Sequence, residues 1–321
     1  MINGVLSLIH EFMTTLLMNV GTSFSASSPL HYTLGWDNKY CHTGHTKEHQ
    51  YLYISQVGKK AWQKRYSRRK AEKRRREEIA LGGFTMKPDI LTGESPLIKN
   101  KFNEKIINNF YKGNYALNTY IAYYKELWKH VKGEYAAVGD FSNQGFVLSE
   151  EYMESIRDRL LKAFDVKITM IFRDPIRRLF SCTSKTCQHY SDMAPLDYFK
   201  YRIVNEMDKN AYYHETCERF VRVWGEDRVC MLVMEEFWND QSKLSKFLDF
   251  PITKVHENCY YPDKGQNAPK YKYLMDQWCS NTIPLDKPTW EFAMEHMDWI
   301  YSGFAKTFGY IPDEWGVWYE T

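Results

Sequence analysis

No apolar run in this 321-residue chain approaches the ~20 residues needed to cross a bilayer. The opening residues lack a basic start before their first apolar stretch, which speaks against a secretory signal. No Cys-x-x-Cys occurs among the seven cysteines; Cys182 and Cys187 stand too far apart for a redox pair. An odd count without metal-ligand spacing points to a reducing compartment, so a cytoplasmic location is expected. His42, His45 and His49 lack a cysteine or carboxylate at a zinc-site spacing, and no metal is expected. There is no Gly-x-x-x-x-Gly-Lys-Ser/Thr, which argues against a nucleoside-triphosphatase loop. Excess charge of one sign is also scarce. A formal net charge of +3 is too small to imply a polyanion partner for the whole surface.

What is present argues for a globular protein. Hydrophobic residues make up 44% of the chain and aromatics 16%, which excludes general disorder. The length suffices for a large core in one α/β domain carrying an insertion. Charge is concentrated in residues 59–76, where eleven of eighteen positions, from Lys59 to Arg76, are lysine or arginine. That segment is helix-compatible and reads either as an exposed charged helix or as a contact for a sulfated or phosphorylated polymer. Residues 56–115 are accordingly set apart as a basic, helical insertion. Beyond them, the aromatic stripe Phe110, Tyr111, Tyr120, Tyr123, Tyr124 and Trp128 follows helical spacing and reads as core and cleft wall.

The chemistry is concentrated at strand ends. Residues 14–20 form a buried first strand, followed by Gly21-Thr22-Ser23-Phe24-Ser25-Ala26-Ser27-Ser28 and a helix from Leu30. A strand, a loop of small hydroxyl residues and a helix start make a phosphate site from backbone N–H groups. Residues 134–139 form a second strand leading into Asp140-Phe141-Ser142-Asn143. An amphipathic helix over 148–164, capped by Ser149, then carries the chain to a strand at 167–172. Asp174 caps the next helix and Pro175 occupies its first turn, leaving Arg173 at the strand's carboxyl end, where open α/β sheets bind ligands. The Arg173 guanidinium is a planar fork suited to phosphate, and Ser181, eight residues on, adds a hydroxyl from the following helix. A helix over 211–224, a strand over 228–234 ending in Glu235-Glu236, and a helix spaced by Leu244, Phe247 and Leu248 read as structural.

Arg173-Asp174-Pro175 with Ser181 resembles the 3′-phosphate-binding segment of sulfotransferases that use 3′-phosphoadenosine-5′-phosphosulfate (PAPS). Further matches follow in the family's order over most of the chain outside the basic insert, nearest to the heparan-sulfate-type glycan branch. The resemblance implies an α/β fold with a P-loop-like central parallel sheet flanked by helices. It also implies a sulfuryl donor, PAPS, that leaves as adenosine 3′,5′-bisphosphate, and an acceptor hydroxyl or amine, most naturally of a saccharide. Gly21, Thr22, Ser23, Ser25, Ser27 and Ser28 would then face the 5′-phosphate. Phe24 stands where the family places a lysine on the bridging oxygen. In His45-Thr46-Lys47-Glu48-His49, Glu48 matches the general base of the glycan branch. Lys47 is placed to lower its pKa or to replace the missing cation, and His49 is a rival base. Asp140 and Ser142 match an acceptor-lining motif, with Asn143 where proline is usual. Lys264 and Gly265 match a late loop that closes over the nucleotide, and Cys259 and Cys279 bracket a loop disulfide-bonded in some secreted relatives.

Overall fold

The computed structural model describes residues 13–21, 27–44, 49–61, 115–190, 193, 195–205, 212–255 and 286–317. Five strands make one parallel sheet: β1 (Thr15–Asn19), β2 (Cys41–His42), β3 (Ala137–Asp140), β4 (Asp165–Phe172) and β5 (Val229–Val233), in the order β2-β3-β1-β4-β5. This is an α/β architecture with the parallel central sheet that the resemblance implies.

Strand alternation assigns the sheet's two faces. Leu16 and Met18 of β1, with Ile168, Met170 and Phe172 of β4, enter a large core against α3 (Leu117–Val131), α4 (Glu150–Ala163), α5 (Pro175–Tyr190), α7 (Tyr213–Trp224) and α10 (Lys287–Phe308). Leu17 and Ile171 point the other way, into a smaller core with Leu30 of α1 (Ser27–Tyr32) and Leu244 and Leu248 of α9 (Ser242–Leu248). With both faces covered, β1 and β4 need near-continuous apolar sequence, which is what made them legible. Tyr120, Tyr123 and Tyr124 of α3 are buried, as the aromatic spacing predicts. Two short helices, α2 (Tyr51–Val57) and α8 (Met234–Asn239), follow chain segments at the carboxyl edge, and α6 (Pro195–Asn205) packs on α5 and α10.

Local signals set several boundaries. The Ser149 side chain accepts from Tyr152 N at 3.3 Å and caps α4, as its position before an acidic first turn predicts. The strand expected over 134–139 begins later, because Glu134 N and Tyr135 N bond back to the Val131 carbonyl at 3.0 and 3.1 Å and still belong to the end of α3. Glu235 and Glu236 do not trail off β5; they sit in the first turn of α8, where the helix dipole favours carboxylates. The connection from β3 through α4 to β4 skips one position, since β1 lies between the two strands. No helix among the described residues is long and apolar enough to cross a membrane. Most of the 56–115 insertion, Cys259 and Cys279 lie outside the described residues; Cys41, Cys217 and Cys230 are free thiols.

Candidate functional site at the carboxyl edge of the sheet

Strand order reverses around β1: the chain leaves it for β2 and β3 on one side and crosses it to reach β4 and β5 on the other. In a parallel sheet the loops at such a point diverge and leave a crevice at the strands' carboxyl ends. The ends that meet there are Asn19-Val20-Gly21 of β1, Asp140-Phe141-Ser142 of β3 and Arg173-Asp174 of β4.

Gly21 is pressed onto the neighbouring strand. A Cβ there would lie 2.9 Å from Ile171 Cγ2 and 3.1 Å from Ile171 N, so only glycine lets the first loop leave β1 this close to β4. Val20 N donates to the Thr169 carbonyl at 3.0 Å, continuing the ladder one step past the strand. Asn19, also buried, donates through Nδ2 to Thr169 Oγ1 at 3.0 Å.

The Arg173 loop is held from several directions. The Asp174 carboxylate accepts from Arg177 N at 2.8 Å and caps α5, as predicted. Its second oxygen accepts from Tyr301 Oη at 3.1 Å and Gly316 N at 2.9 Å, both more than a hundred residues away in sequence. Tyr213 Oη donates to the Arg173 carbonyl at 2.9 Å, and Asp174 N donates to Glu235 Oε1 at 3.3 Å. Burial raises the Glu235 carboxyl above the usual range, opposed by its bond from Trp315 and by the positive charge of Arg173. Arg173 itself is half-buried at the strand end, and Ser181, on α5, is also partly exposed.

At the end of β3, Asp140 is buried, and its two carboxylate oxygens accept from Tyr120 Oη at 3.0 Å and from the Ser142 hydroxyl. Ser142 Oγ in turn accepts from Gln50 N at 2.7 Å. Gln50 holds a left-handed conformation (φ 52°) immediately before α2, an unusual state for a residue with a side chain. Gln50, two residues beyond Glu48 in sequence, is thereby tied to the carboxyl end of β3. Asp140 and Ser142, expected to line an acceptor, spend these polar contacts holding the chain, although both also line a small pocket with Met18, Asn19 and Tyr53.

His49, the rival base, is enclosed by α3. Its ring is buried edge-on against Tyr123 and Tyr124, and Nε2 donates to the Thr43 carbonyl at 2.7 Å. Burial lowers its pKa to about 4, so it is neutral at pH 7, with Nε2 already committed as a donor. His42 is similarly lowered to about 4 by burial and by Lys39, and its Nδ1 accepts from Gly44 N at 3.0 Å. Among the described residues no group of His, Cys, Asp and Glu is arranged to hold a metal. Lys47, Glu48, Thr22, Ser23, Phe24, Ser25, Lys264 and Gly265 lie outside the described residues, while Ser27 and Ser28 open α1.

The structure brings Gly21, Asp140, Ser142 and Arg173 to one edge. Tyr120, from the aromatic stripe read as core and cleft wall, joins them, as do three residues that sequence reasoning did not attach to the site: Asn19, Trp315 and Gly316. An asparagine closing an apolar strand was the one visible hint, since an amide there needs partners once buried. Trp315 and Gly316 come from the C-terminal turn and carry no local signal.

No protein-family model and no curated protein sequence matches the chain. Among solved structures it is similar to the sulfotransferase domain of the Synechococcus PCC 7002 olefin synthase (15% identity, 93% of this chain and 95% of that one, TM-score 0.49). It is also similar to a sulfotransferase from Alicyclobacillus acidocaldarius (15% identity, 88% and 95% covered, TM-score 0.42). A third is sulfotransferase STF9 from Mycobacterium avium (13% identity, 95% and 81% covered, TM-score 0.42). All three solved chains are sulfotransferases, and the likeness to each is one of overall fold at low identity.

Proposed function

We propose that the chain is a PAPS-dependent sulfotransferase acting on a hydroxyl or amine, with a saccharide as the first acceptor class to test. The observation that carries this reading is the close approach of Gly21 to β4 beside the hydrogen-bonded Arg173-Asp174 peptide, at the carboxyl edge next to β1. The residues present fit a nucleotide with two phosphate groups. The side-chain-free approach at Gly21 opens one strand-to-helix loop, and a guanidinium on a fixed backbone supplies a cation at the next. Arg173 and Ser181 would hold the 3′-phosphate, and the loop from Gly21 to Ser28 the 5′-phosphate. Lys264 and Gly265 are the proposed cover.

PAPS, when bound, supplies the sulfuryl group. Glu48 would accept the acceptor's proton as the new oxygen–sulfur or nitrogen–sulfur bond forms; the donor's bridging oxygen–sulfur bond breaks and adenosine 3′,5′-bisphosphate departs. Asp140 and Ser142 hold Gln50, two residues beyond Glu48 in sequence, and Lys47, next to Glu48, would offset Phe24. No metal is part of this scheme.

Calorimetry with adenosine 3′,5′-bisphosphate tests it. Micromolar binding by the wild type, lost in Arg173→Ala, is expected; absence of binding by the wild type would sink the reading. Phe24 favours a second reading, a nucleotide-binding protein without turnover. That predicts binding but no sulfate transfer from PAPS to any saccharide or small-molecule acceptor. Polyanion binding through residues 59–76 would instead show steep salt dependence and survive Arg173→Ala.

A further inference from the structure

The peptide unit joining Arg173 to Asp174 is held at both of its polar ends. Its C=O accepts from Tyr213 Oη at 2.9 Å, and its N–H donates to Glu235 Oε1 at 3.3 Å. These two bonds fix the orientation of the plane, and with it the direction in which the Arg173 side chain leaves the strand. Glu235 is itself held from the far end of the chain: its other oxygen accepts from Trp315 Nε1 at 3.0 Å. Gly316 N, the next residue, reaches the Asp174 carboxylate at 2.9 Å, and Tyr310 Oη donates to Glu236 at 2.8 Å. Trp315 is only 4% exposed, with its ring 4.5 Å from Phe304 and 6.1 Å from Tyr213, centroid to centroid.

We propose that residues 310–316 form a strap that positions Arg173 for a 3′-phosphate, with Trp315 and Glu235 as its positioning residues. The argument rests on the nucleotide reading above and adds to it the part of the chain that sets 3′-phosphate recognition. Glu235 is half-buried, and the positive charge of Arg173 opposes the rise that desolvation gives its pKa. While Trp315 and the Asp174 N–H occupy its two oxygens, the carboxylate stays turned to the backbone. Without the indole N–H, one oxygen loses that donor, the carboxylate is held to the backbone by one bond fewer, and it is drawn towards the positive charge of Arg173. A carboxylate that turns onto the arginine competes directly with an incoming phosphate.

The test compares adenosine 3′,5′-bisphosphate with adenosine 5′-monophosphate by calorimetry on the full chain, for wild type, Trp315→Phe and Glu235→Gln. Trp315→Phe keeps an aromatic ring and removes the donor; Glu235→Gln keeps the shape and removes the charge. The ratio of the two affinities reads the 3′-phosphate contact alone, which a general loss of folding does not move. In Trp315→Phe the ratio is expected to fall at least about fivefold. Glu235→Gln should lower it too, because one of its two N–H partners then meets an amide donor. An unchanged ratio in both variants, or equal weakening of both nucleotides, would overturn the strap. A wild type that binds neither nucleotide, or both equally, would defeat the nucleotide reading itself, and the strap with it.

Discussion

Acid should loosen this fold through His49 before its carboxylates titrate, and the size of the effect follows from where the ring sits. His49 is 3% exposed, donates through Nε2 to the Thr43 carbonyl at 2.7 Å, and lies edge-on to Tyr123 at 5.3 Å and Tyr124 at 5.9 Å. A second proton on Nδ1 would place a charge among tyrosine rings, and burial lowers the pKa from 6.5 to about 4. The unfolded chain takes that proton near pH 6.5, whereas the folded chain resists it until about pH 4. The folded pKa is depressed, so the contribution is fully present above pH 6.5 and is lost as pH falls towards 4. Between pH 7 and pH 5 the linkage amounts to about 2 kcal/mol for this one residue. His42, lowered in the same sense, adds to the wild-type loss. Urea denaturation at the two pH values, on wild type and His49→Gln, isolates the term. Glutamine can still donate to Thr43 but does not titrate. The wild type should lose about 2 kcal/mol more than the variant on going to pH 5. Equal losses would refute the assignment of His49 as a buried neutral donor and reopen its role as a base.

Two other substitutions probe the edge directly. Gly21→Ala forces a methyl to within 2.9 Å of Ile171 Cγ2. It should cost about 1–3 kcal/mol by overpacking and weaken adenosine 3′,5′-bisphosphate binding, read by urea denaturation and calorimetry. Ser142→Ala strands the Gln50 N–H and removes a donor from Asp140. A stability loss of about 1–3 kcal/mol is expected, with nucleotide affinity unchanged and sulfate transfer reduced; weakened nucleotide binding would place Ser142 in the nucleotide site instead.

Local sequence determined most of the elements. β1 and β4 are apolar because both of their faces are buried, Ser149 and Asp174 cap the helices they precede, and α3 and α7 carry their buried stripes at helical spacing. Such features depend on neighbours within a turn or two, so a single chain displays them. Tertiary structure decided the rest. Sheet order placed Gly21 against Ile171, which no local pattern encodes across 150 residues. Asp140 and Ser142 were legible as polar residues at a strand end, but only the fold shows that they also bond Tyr120 and Gln50. That His49 lies edge-on to the α3 tyrosines, with burial lowering its pKa, is decided only in the fold. Arg173-Asp174 reads in sequence as an arginine before a helix cap. Its orientation is fixed by Tyr213, Glu235, Tyr301 and the Trp315–Gly316 turn, which reach it only after the chain has closed. Caps and periodicity are short-range and written in the sequence, whereas satisfying a buried polar group takes whichever donor the completed fold brings near.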